Sequence, residues 1–163
     1  GDVVADLVYS DISRIASRNV VHAKFDKQNL TVSDLALYHK GPKNQDLPIF
    51  VGKYFSMGNN LAFDGRVIVS VVNEEKPTDS PDCIEDLVLV KDDKDLKIYA
   101  SKGLDYKEVL GTKLISEIRS HKIENHLLNI NIVVWGGHTA GYLSFDDTTM
   151  VFPFENEFCF SAV

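Results

Sequence analysis

Cysteine is scarce in this chain, with Cys83 and Cys159 as its two thiols. A pair cannot make a disulfide framework, and a zinc site ordinarily needs four ligands at close spacing. Two reduced thiols are expected, with a single long-range disulfide as the alternative. Long apolar runs are missing too: none approaches the roughly 20 residues that span a bilayer. Cations are in deficit, 17 Lys and Arg against 24 Asp and Glu. The resulting net charge of −7 argues against a nucleic-acid binder held mainly by phosphate contacts. It leaves room for a nuclease whose acidic metal site lies beside a local basic patch. No signal peptide, internal repeat or low-complexity tract is visible, so a cytoplasmic protein is expected rather than a secreted one.

What is present is ordinary globular material. A chain of 163 residues with 44% hydrophobic and 25% charged residues is expected to form a single domain over 1–163 with a substantial core. The stretch from Asp86 to Trp135 organises it. Leu87-Val88-Leu89-Val90 and Leu96-Lys97-Ile98-Tyr99 flank a polar run, which reads as a β-hairpin. Asp105 is then a helix N-cap with Glu108 three residues on, and Leu110, Leu114, Ile115 and Ile118 make an apolar stripe. The spacing predicts one long helix over about 105–124, with Gly111 in its interior marking a close approach to another element. Asn129 to Trp135 is the most apolar strand, central and placed by a crossover parallel to an earlier strand.

Elsewhere, Val4, Leu7, Val8, Ile12 and Ile15 share one helical face, predicting an amphipathic helix over 2–18. Strands are expected at Val20–Phe25, through Leu30–Tyr38, at Ile49–Phe55 behind Pro48, at Arg66–Val72, and at Tyr142–Phe145. Phe-rich strands over Met150–Phe154 and Phe158–Phe160 complete the chain, with 73–80 as a surface linker. The predicted class is α+β: a mainly antiparallel multi-stranded sheet carrying an N-terminal helix and the long helix.

Candidate sites are few. The order helix, strands, hairpin, helix, strand is similar to the core of metal-dependent nucleases of the PD-(D/E)xK type. That resemblance implies Asp86 as the first carboxylate and Lys102 as the lysine, with Mg²⁺ or Mn²⁺ as cofactor. The second acid should stand two residues before Lys102, where this chain has Ala100. A shifted set, Asp82, Asp95 and Lys97, restores the residue types but puts Asp95 in the hairpin loop. The loop Trp135-Gly136-Gly137-His138-Thr139-Ala140-Gly141-Tyr142 is a second candidate, because glycines let backbone N–H groups converge on an anion. His138 there is a conceivable acid or base. His121 and His126 are spaced for different helix faces, and His22 and His39 alternate with apolar residues, so none forms a metal set.

With no complete catalytic constellation, no cofactor or metal site is assigned. The expectation is a non-catalytic protein–protein interaction module, an adaptor, chaperone-like or pathogen-encoded binding protein, whose partner is another protein or its own copy. A metal-dependent nuclease or hydrolase centred on Asp86, Lys102 and His138 is the alternative.

Overall fold

The computed structural model describes residues 8–25, 27–72, 86–124 and 127–145. One sheet holds all their strands: β1 (Arg14–Phe25), β2 (Gln28–Lys40), β3 (Asp46–Gly58), β4 (Arg66–Val72), β5 (Leu87–Asp92), β6 (Leu96–Ser101), β7 (Leu127–Trp135) and β8 (His138–Phe145). Their order across the sheet is β1-β2-β3-β8-β7-β4-β6-β5. Every neighbouring pair is antiparallel. Two short helices, α1 (Tyr106–Val109) and α2 (Thr112–Glu124), connect β6 to β7. The fold is therefore predominantly β, and the α+β expectation is overturned at both of its helices.

The expected N-terminal helix fails first. Residues 8–13 are irregular, and the chain is in β1 from Arg14 onward. Asp11 sits at φ 56°, a left-handed conformation that no α-helix can run through. The apolar positions that suggested a helical stripe are shared out differently. Val8 and Tyr9 are buried against one face of the sheet with Ile12 beside them, while Ile15 joins the edge strand opposite Leu37. Residues 2–7 of that expectation lie outside the described residues, as do Asp82, Cys83, the 73–80 linker, His126, and the Phe-rich segment with Cys159.

The long helix is two pieces. Asp105 is the N-cap, its carboxylate accepting from the Lys107 N–H at 3.0 Å. The first piece then stops, because Leu110 is extended at φ −120° and ψ 123°. That geometry sends the Leu110 side chain into the core, where it is 4% exposed beside Ile115. Gly111 follows the break and the helix restarts at Thr112. A Cβ on Gly111 would meet nothing within 4 Å, so its place is at the junction and not at a close approach. Lys113 and Glu117 pair along the exposed face of α2, and Arg119 reaches the β5–β6 turn at Asp93 and Asp95. The Leu114 and His121 side chains lie outside what is described.

Alternation along the strands gives the sheet two apolar faces. One carries Val67, Val69 and Val71 of β4, Leu96, Ile98 and Ala100 of β6, and Ile130 and Val134 of β7, under Leu110 and Ile115. The other gathers Leu35, Leu37, Phe50, Tyr54, Ile68, Tyr99, Val133 and Tyr142 around Val8 and Tyr9. Since β6 and β7 both pair antiparallel with β4, they run in the same direction with β4 between them. The helices thus cross over β4, as expected for a crossover connection. Pro48 falls inside β3 at a register shift, where Leu37 pairs with Phe50 but Tyr38 with Pro48. A bulge suits a residue that has no N–H to give to the ladder.

Candidate functional site

One end of the sheet collects several of the residues singled out from sequence. Asp86 precedes β5, and its carboxylate accepts from both terminal nitrogens of Arg66, at 3.2 and 2.8 Å. Arg66 opens β4 opposite Trp135 of β7, which pairs in turn with His138 of β8. The Trp135 and His138 rings stack, with centroids 5.0 Å apart and planes 27° from parallel. Directly opposed residues in an antiparallel pair share a face, so Arg66, Trp135 and His138 form a row along one side of the sheet end. Lys102 follows β6 at the same end and is exposed. Ala100 is fully buried under the helices, where the nuclease resemblance requires a carboxylate. Among the described residues no group of three or more His, Cys, Asp or Glu could hold a metal ion.

The glycine-rich stretch is a two-residue hairpin, not an anion cradle. Trp135 pairs with His138, leaving Gly136 and Gly137 as the turn, with Gly137 at φ 87°. Its N–H is already committed, donating to Leu61 O at 2.9 Å and to Asn59 Oδ1 at 3.0 Å. Asn59 is the organiser here. Its Nδ2 donates to Trp135 O and Thr139 Oγ1, and its Oδ1 also accepts from the Leu61 N–H. No local motif marks Asn59, because Trp135 and Thr139 stand 76 and 80 residues away.

A second polar cluster is built on Ser33-Asp34, two polar residues inside the expected strand Leu30–Tyr38. The run is one continuous strand, and Asp34 is fully buried in it. Its carboxylate accepts from Asn19 Nδ2 at 2.6 Å and lies 3.8 Å from the Lys53 ammonium. Asn19 reaches it because β1 bulges there, with Asn19 at φ 53° and a register shift between Arg18 and Val21. Burial pushes the Asp34 carboxyl above its ordinary 3.8, outweighing the Asn19 hydrogen bond and the Lys53 and Arg18 charges. Burial likewise holds Lys53 below its ordinary 10.5, against the pull of Asp34.

The folded chain therefore keeps the Asp34 proton more tightly than the unfolded chain. Its contribution to stability is complete below the unfolded value and is lost as pH rises through the folded one. Asp34→Asn removes that loss. Urea titrations from about pH 3 to about pH 7 should show the variant gaining on the wild type as pH climbs through the carboxylate range. A difference that stays flat would contradict the raised value.

The remaining feature is the pair of terminal strands of the sheet. The sheet begins at β1 and ends at β5 without those two strands pairing. Among the described residues six large hydrophobic side chains are exposed, Ile15, Val20 and Val21 on β1 and Val88, Leu89 and Val90 on β5, at between 38% and 49%. None lies on an interior strand. No protein-family model, curated protein or solved structure matches the chain. The edges must therefore be judged on their own chemistry. Among the described residues neither has a strand on its outer side, and each ladder is interrupted once. The β5 ladder shifts register between Leu89 and Lys91, and the β1 ladder between Arg18 and Val21. Bulges of this kind and edge charges such as Lys91 restrict which strands can be added.

Proposed function

We propose that this chain is a non-catalytic interaction module that binds a protein partner by adding a strand to an edge of its sheet. The observation that carries the reading is the distribution of exposed apolar surface. All six exposed large hydrophobic side chains among the described residues fall on the two edge strands. An added strand takes main-chain hydrogen bonds from the edge and sets its own side chains against those of the edge strand. Val88-Leu89-Val90 offers a short apolar landing site of this kind, bracketed by Asp86 and Asp92. Arg66 of β4 holds Asp86 at the start of that edge strand.

The test is selection of a displayed random peptide library on the wild-type chain and on the double variant Val88→Lys/Val90→Lys. Peptides of alternating apolar and polar residues should enrich on the wild type and bind the variant at least tenfold more weakly, about the effect of 1.4 kcal/mol. Enriched peptides that bind the wild type, this variant and the β1 variant Val20→Lys/Val21→Lys equally, or no enrichment, would overturn the reading.

A further inference from the structure

We propose that the partner is a second copy of this chain, joined head to tail, with β1 of one protomer against β5 of its neighbour. This rests on the edge-binding reading and narrows it to one occupant. Three features of the two edges point the same way.

Charge comes first. Residues 8–58, which hold β1 to β3, carry seven Lys and Arg against four Asp, although the whole chain has 17 against 24. Within β1 the charged residues are Arg14, Arg18 and Lys24, with no carboxylate. Counted with their flanks, residues 11–27 carry four Lys and Arg against Asp11 and Asp26, whereas residues 86–95 carry Asp86, Asp92, Asp93 and Asp95 against Lys91 and Lys94. These last four acids and Arg14 all keep partners in their own chain: Arg14 has Asp46, Asp86 has Arg66, Asp92 has Lys97, and Asp93 and Asp95 share Arg119. Charge therefore selects among arrangements, and the apolar contact supplies the attraction.

Direction comes second. Eight strands alternate in direction across the sheet, so β1 and β5 run opposite ways. A neighbour placed in line along the sheet brings its β5 to β1 in the antiparallel sense and continues the ladder. In that arrangement the Asp86 end of β5 lies beside the Lys24 end of β1, and the Asp92 end beside Arg18. The bracketed residues, Val88-Leu89-Val90 and Val20-Val21, then meet.

The symmetric pairings that centre the apolar residues come third, and both are disfavoured. A two-fold pairing of β1 with its own copy sets an all-cationic strand against itself. A two-fold pairing of β5 about Leu89 sets Asp86 against Asp92 of the other copy. Like charges directly across a strand pair are destabilising. The head-to-tail contact is heterologous, so it closes into a ring or runs on as a filament.

The test uses sedimentation velocity on the full chain and two edge variants, Val20→Lys/Val21→Lys on β1 and Val88→Lys/Val90→Lys on β5. Both pairs are exposed, so folding should survive, and matching urea midpoints would verify it. The wild type should form species beyond the dimer as concentration rises. Each variant alone should stay at its 18.2 kDa monomer. An equal mixture of the two retains one intact β1 and one intact β5 and should stop at a dimer. Dimers formed by either variant alone, or a mixture that stays monomeric, would overturn the head-to-tail arrangement. A wild type that remains monomeric while edge-dependent peptides are still selected overturns the self-partner and leaves the edge-binding reading standing. Failure of both assays removes both.

Discussion

Replacing Tyr142 with alanine should lower the unfolding free energy by about 3–5 kcal/mol, the range for deleting a large buried aromatic ring. Tyr142 is among the largest fully buried side chains and stands where three other rings converge. Its centroid lies 5.3 Å from Tyr9, 5.5 Å from Phe50 and 5.2 Å from Tyr54. The contacts with Tyr9 and Phe50 are edge-on at 83° and 90°, the favoured geometry for ring quadrupoles. Those rings come from β8, from β3 and from the segment ahead of β1, so the alanine cavity opens where three parts of the chain join. A cavity walled by separate backbones collapses poorly, which is the condition for the upper part of the range. Tyr142→Phe keeps every ring contact and should lose much less. Urea unfolding of both variants checks this. An alanine variant within about 1 kcal/mol of the wild type would contradict the packing.

The ring cluster also shows where sequence reasoning succeeded and where it could not. Strand positions were legible because burial on one face leaves a period of two. Leu96, Ile98 and Ala100 are buried, with half-buried Lys97 between the first two on the opposite face. Leu96 to Tyr99 was readable this way, while its hairpin partner Leu87 to Val90, the strand at Arg66 to Val72 and the strand into Trp135 were readable as short apolar, β-branched runs. The N-terminal helix was not, because Val8, Ile12 and Ile15 fit a helical stripe equally well. Long-range contacts decided it, sending Val8 and Tyr9 to one core and Ile15 to an edge. The break at Leu110 had one local sign, Gly111, a poor helix former; the stripe of Leu110, Leu114, Ile115 and Ile118 outweighed it, and the core pocket that takes the Leu110 side chain decides for stopping. Site geometry was the least legible. Arg66 meets Asp86 across 20 residues, and Asn59 meets the Gly136-Gly137 turn across nearly 80. Which strands become edges depends on strand order, and no local pattern encodes that order.

Gly52→Ala should cost about 3 kcal/mol, the upper end for overpacking a filled interior. Gly52 is buried in β3 opposite Leu35 of β2, next to the point where Lys53 pairs with Leu143 of β8. A Cβ there would overlap the Leu143 carbonyl oxygen and lie 3.0 Å from its carbonyl carbon. The obstacle is the backbone of a neighbouring strand, and it cannot rotate away as a side chain can. Relief requires β3 and β8 to separate locally, which disturbs the ladder bonds that join the β1–β3 half of the sheet to the rest. Gly111→Ala is the matched comparison. Its Cβ meets nothing within 4 Å, and alanine there should change stability by no more than about 1 kcal/mol. Urea midpoints for the two variants give the ranking, and amide exchange locates the damage. Faster exchange in β3 and β8 with little change in β5 and β6 is the expected pattern. If Gly52→Ala proved as benign as Gly111→Ala, the close approach of β3 to Leu143 would be wrong, and with it the register that joins the two halves of the sheet.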